Sequence, residues 1–123
     1  METVDEIIVN GVTYVRKDKN TVRMSDNYVI IRADRAGVFA GYLDKVKGDG
    51  SQFKEVVINE CRRIWYWDGA ATLSQLSIDG TSKPNNCKFP EAVTQQSILG
   101  VVEIIHCTEK AMSSIQGVAV WQN

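Results

Sequence analysis

The chain has 123 residues, 44% of them hydrophobic and 24% charged, with a formal net charge of −1 and a pI near 5.8. Such a length holds one domain with its own core, and this ordinary composition excludes a wholly disordered chain. The near-neutral balance argues against a grip on duplex DNA through its phosphates, and no apolar run reaches the roughly 18 residues that a bilayer span needs.

The first segment, EIIVNGVTYV, is two β-favouring runs around Asn10-Gly11. Both turn residues tolerate positive φ, so a two-residue hairpin is expected. RKDKNTVRMSDN follows as a charged linker, which makes residues 1–27 an appendage to a single β-rich domain over residues 28–123. In that domain YVIIR reads as a strand, ADRAG as a turn and VFAGYLDKV as a second strand. Gly37 and Gly41 leave room there for tight turning or close approach. GDGSQ closes a hairpin onto FKEVVIN, and CRRIWYW continues as a fourth extended segment. Strand alternation sends Arg63, Trp65 and Trp67 to one face, and Arg62, Ile64 and Tyr66 to the other.

AATLSQLSIDG is the helix candidate of the middle region, stopped by Gly80, and TSKPNNCKFP reads as a loop. SILGVVEIIHC is a strand rich in β-branched residues. Thr108 suits an N-cap and Glu109 a first turn, for a short helix through Ile115 that Gly117 ends. VAVW would make a last edge strand. The expected class is α+β: an antiparallel sheet or partly closed small barrel with two short helices and an N-terminal hairpin.

Catalytic groups are sparse. His106 is the one histidine, and its neighbour Cys107 would point to the opposite strand face, which argues against a Cys–His nucleophile pair. Neither GxxxxGK[ST] nor GxGxxG occurs. Asp34, Asp44, Asp49, Asp68 and Asp79 fall mostly in turns, where aspartate is favoured by local hydrogen bonding. Cys61, Cys87 and Cys107 form no CxxC pair, so no metal, cofactor or functional disulfide is expected, and buried thiols fit a reducing cytoplasm. The acidic N-terminus lacks the apolar stretch of a secretory signal.

What stands out is Arg62-Arg63-Ile64-Trp65-Tyr66-Trp67, with rings on both faces of one segment. Flat rings stack on nucleobases and guanidinium forks match phosphate oxygens. The same pattern also describes a core strand flanked by snorkelling arginines. The loop from Lys83 to Phe89 adds cations, two asparagine amides and another ring, or is a solvated loop anchored by Phe89.

From Tyr28 to the C-terminus, the blocks YVIIRADRAGVFAGYL, RRIWYWDGAATLSQLSIDGTSKPNNCKFP and VVEIIHCTEKAMSSIQGVAVW resemble a family of small phage and prophage proteins. That family is linked to Thoeris anti-defence proteins, sponges that sequester the cyclic ADP-ribose isomers made by bacterial TIR enzymes. The resemblance implies a protein that binds a cyclic nucleotide signal, and in some members cyclic oligonucleotides, without degrading it. It also implies assembly as dimers or multiples of dimers. On this reading the ligand contacts come from Arg62 or Arg63, from Trp65 or Trp67, and from Asn86, Lys88 and Phe89. Arg32, Arg35 and Lys110 are outer candidates. A phage adaptor that holds a partner protein through its aromatic strand is the alternative, because aromatic residues and arginine also dominate protein interfaces.

Overall fold

The computed structural model describes residues 6–9, 12–15, 22–48 and 54–122. Strands β1 (Glu6–Val9) and β2 (Val12–Val15) pair antiparallel, with Val9 opposite Val12, as a two-residue hairpin requires. The Asn10-Gly11 turn itself, the 16–21 linker and most of the GDGSQ turn lie outside the described residues.

The core begins slightly earlier than Tyr28, with β3 (Met24–Ala33), followed by β4 (Gly37–Lys47) and β5 (Lys54–Arg63). The last strand, β6 (Val93–Thr108), is the longest at 16 residues. β3 pairs with β4, β4 with β5, β5 with β6, and β6 returns to β3, all antiparallel. The hydrogen bonding of this four-stranded sheet therefore closes on itself, which leaves no long edge open to a stray strand. The length of β6 makes closure possible. Its first half pairs with β5 and its second half with β3, and Val101 has a partner on each side. The change of partner falls at Gly100, whose φ of +73° only glycine adopts without strain.

Alternation along β3 divides the core in two. Val29 and Ile31 point inside the ring, with Phe39, Val56, Ile58 and Ile98. Tyr28 and Ile30 point outward, under a helical layer that contributes Leu76, Ala111 and Ile115. That layer consists of α1 (Leu73–Asp79), capped by the Thr72 hydroxyl accepting from the Gln75 amide, and α2 (Glu109–Gly117), capped by Thr108. No helix among the described residues is long and apolar enough to cross a membrane.

Two elements end sooner than their side chains suggest. CRRIWYW is strand only as far as Arg63, which pairs with Phe39 near the start of β4. The Ile64 amide still donates to the Val38 carbonyl at 2.8 Å, and the chain then leaves the sheet. Tyr66 makes an isolated bridge with Lys88 instead. VAVW likewise reduces to one parallel bridge, Val120 against Phe89. Within the TSKPNNCKFP loop, Pro84–Asn86 forms a single 3₁₀ turn.

Candidate functional site

A cavity of about 670 Å³ opens at one end of the ring. The β3–β4 turn supplies Asp34 and Arg35, and the end of β5 supplies Arg63. The β6 corner before Gly100 supplies Gln96, Ser97 and Leu99, and Phe39 and Ile98 form the apolar floor. Closure of the sheet brings together residues that lie some sixty positions apart in the chain. The Asp34 amide donates to the Gly100 carbonyl at 2.8 Å, tying turn to corner.

Arg63 organises this mouth. Its guanidinium lies over the Phe39 ring, 4.5 Å from the centroid, and donates to the Ala36 carbonyl at 2.9 Å. The guanidinium is thus backed by a buried ring where it lines the cavity. Arg35, exposed on the turn, adds a second positive charge. The lining so combines two guanidiniums, an amide, a hydroxyl, one carboxylate and an apolar base. Pockets of this size, mostly apolar with a few convergent polar groups, are usual for small ligands.

The adjacent Arg62 is spent differently. Only 5% exposed, it donates from Nε to the Pro90 carbonyl, from Nη1 to that of Ile115 and from Nη2 to that of Phe89, each at 2.9 Å. Burial lowers its pKa. The alternation expected at this pair is present, with Arg63 at the ring mouth and Arg62 under the helical layer.

The other candidate residues are dispersed. Trp65 is 63% exposed and Tyr66 50%, and the Lys88 ammonium sits 5.9 Å from the Tyr66 ring and 5.7 Å from that of Trp121. Trp67 packs against the outer core and donates its indole N–H to the Ala70 carbonyl. Phe89 is fully buried. Asn86 donates to the Asp68 carboxylate at 3.0 Å. That bond, with a second from the Gly69 amide, holds the Asp68 pKa below its usual value. Arg32 pairs with Glu103 at 2.9 Å on the sheet surface, and Lys110 lies 3.9 Å from Asp79. The mouth therefore gathers Arg35 and Arg63 from the candidates of the sequence, and adds Asp34, Phe39, Gln96, Ser97 and Leu99. Gly100, a lone glycine in a β-branched run, was the one local sign that a corner lay there.

A closed four-stranded ring under two short helices, with a charged cavity at its mouth, defines a small α+β domain. Residues 26–115 match the model of a family described as a domain of unknown function, DUF6948, and the chain belongs to that family. No curated protein and no solved structure matches it significantly.

Proposed function

We propose that this protein is a sponge: it binds a cyclic nucleotide signal, such as a cyclic ADP-ribose isomer, at the ring mouth and releases it chemically unchanged. In an infected bacterial cytoplasm it would thereby keep the signal from a Thoeris-type effector. The observation that carries the reading is the Arg63 guanidinium over the Phe39 ring, set in a cavity of nucleotide size. A guanidinium backed by a ring can offer its plane to a base, and Arg35 can offer its charge to a pyrophosphate. Asp34 and Gln96 suit ribose hydroxyls and base edges. Among the described lining residues Asp34 is the one carboxylate, so the mouth is richer in binding groups than in acid–base pairs.

The test is capture and release. The protein is expected to remove a cyclic ADP-ribose isomer from solution, and heat denaturation to return the intact compound on chromatography. Arg63→Ala, checked for folding, should weaken uptake by roughly 1–3 kcal/mol, the usual worth of a stacking platform. Recovery of a linear product that grows with time would replace the sponge with an enzyme, and no uptake of any isomer would end the reading.

A second reading draws on the exposed Trp65, Tyr66 and Val120. Exposed aromatic residues in one region suit a protein contact, and the simplest partner is a second copy of the chain in a two-fold dimer. Light scattering on the parent and on Trp65→Ala separates this from a phage adaptor, which would remain monomeric in both.

A further inference from the structure

A second cavity, of about 370 Å³, shares no lining residue with the ring mouth. It lies where β3, β4 and β5 meet the end of α2, and its inner polar groups are donors. Tyr28 is 2% exposed, and its hydroxyl has no hydrogen-bond partner among the described residues. No fully enclosed side-chain N or O atom among them lacks a partner, so this hydroxyl opens onto the cavity. Burial pushes it well above the usual phenol range, which keeps it a donor. The Tyr42 oxygen accepts from Gln116 Nε2 at 2.7 Å, leaving its own proton to donate.

Behind them stands Arg62. All three of its hydrogen-bond partners are neutral carbonyls, and no described carboxylate lies within salt-bridge distance. A buried guanidinium without a counter-ion makes the cavity attractive to an anion. Ala92, Val118 and Val120 add an apolar wall.

Glu60 lines the same cavity in an unusual conformation. Tyr42 faces Asn59 and Ala40 faces Arg62, so Gly41 opposes both Glu60 and Cys61 in a bulge. Glu60 has a φ of +50°, the one positive value at a described residue other than glycine. Strained backbone of this kind clusters at functional sites, and bulges re-aim side chains there. Its exposed carboxylate repels a dianion more strongly than a monoanion, so the cavity discriminates by charge.

We propose that this second cavity binds a small organic acid, with its carboxylate held by Tyr28, Tyr42 and the charge of Arg62, and its apolar body against Val118 and Val120. The test is an NMR titration of the whole chain with benzoate, phenyl phosphate and benzyl alcohol at fixed ionic strength. The reporters are the Gly41 and Tyr42 amides and the Arg62 Nε–H. Benzoate is expected to give saturable shifts at all three, and benzyl alcohol none. Tyr42→Phe keeps the ring and should weaken benzoate about tenfold, the worth of one hydrogen bond to a charged group. Tyr28→Phe should act alike. Glu60→Gln should improve phenyl phosphate more than benzoate. Absence of a saturable shift at Arg62, an equal response to benzyl alcohol, or unchanged affinity in both tyrosine variants would overturn the assignment. Each outcome is independent of nucleotide binding at the ring mouth.

Discussion

Arg62 and Arg63 are chemically identical neighbours with opposite employment, and the difference is a matter of what each can reach. Arg63 has solvent on one side and the Phe39 ring on the other, so its loss removes one ring contact and one exposed hydrogen bond. Arg62 satisfies three carbonyls that belong to the 89–90 segment and the last turn of α2, and it lies over the Phe89 ring. A cation at a helix C-terminus also complements the helix dipole. Arg62→Met has similar volume but strands those carbonyls, at a cost of at least about 3 kcal/mol. Arg63→Met should lose no more than about 1 kcal/mol, as expected for an exposed cation on a ring. Urea unfolding of the two variants checks the contrast, and equal losses would contradict it. Nothing in the dipeptide Arg-Arg distinguishes these roles. Alternation separates the two faces, but only the packed helix shows which face is dry.

At the scale of elements, the bulge in β5 shows where reading from sequence stops. The strands β3, β4 and β5 were legible because period-two patterning and β-branched residues mark them directly. Gly41 was legible as a point of close approach, and the reason is now visible. A Cβ there would stand 2.5 Å from Ile58 Cγ2, 2.8 Å from the Asn59 carbonyl oxygen and 3.0 Å from that of Glu60. Glu60 carried no signal, since its conformation is imposed by a partner strand across a hairpin. The ring mouth was illegible for the same reason at longer range: its parts meet only when β6 turns from β5 to β3 at Gly100. The aromatic cluster, by contrast, is conspicuous locally, yet its rings divide between an exposed surface and the outer core. These points give opposite expectations for two substitutions in one bulge. Gly41→Ala forces backbone oxygens apart and should cost about 1–3 kcal/mol, as overpacking does. Glu60→Gly relieves a left-handed residue worth about 1 kcal/mol, and should be neutral or stabilising although it places glycine in a strand. Thermal melts of both variants decide the point, and a destabilised Glu60→Gly would show that the side chain holds the bulge.

For the whole molecule, the question is whether the two layers of core fold and melt together, and the cysteines offer a way to ask it. Cys61 lies in the core inside the ring at 1% exposure, and Cys107 in the core beneath the helices at 0%. Burial alone dominates both thiols and pushes each up to about 12 from an ordinary value of 9.0. A thiolate in either layer is disfavoured because apolar surroundings cannot solvate it. The direction of the linkage follows. Below about pH 9 both thiols are protonated whether the chain is folded or not, and pH has no leverage through them. Above that, the unfolded chain releases protons while the folded chain holds them, so stability falls continuously as pH rises toward 12. The buried Tyr28 hydroxyl acts with the same sign. Urea midpoints are therefore expected to be level near neutral pH and to drop through the alkaline range. Surface amines titrate in the same range, so the control is the pair Cys61→Ala and Cys107→Ala. Each should flatten part of the fall, and the double variant should flatten more than either. If the layers unfold as one unit, a thiol-specific reagent will modify both cysteines along a single unfolding curve. Reaction of Cys107 ahead of Cys61 would show instead that the helical layer opens while the ring stays closed.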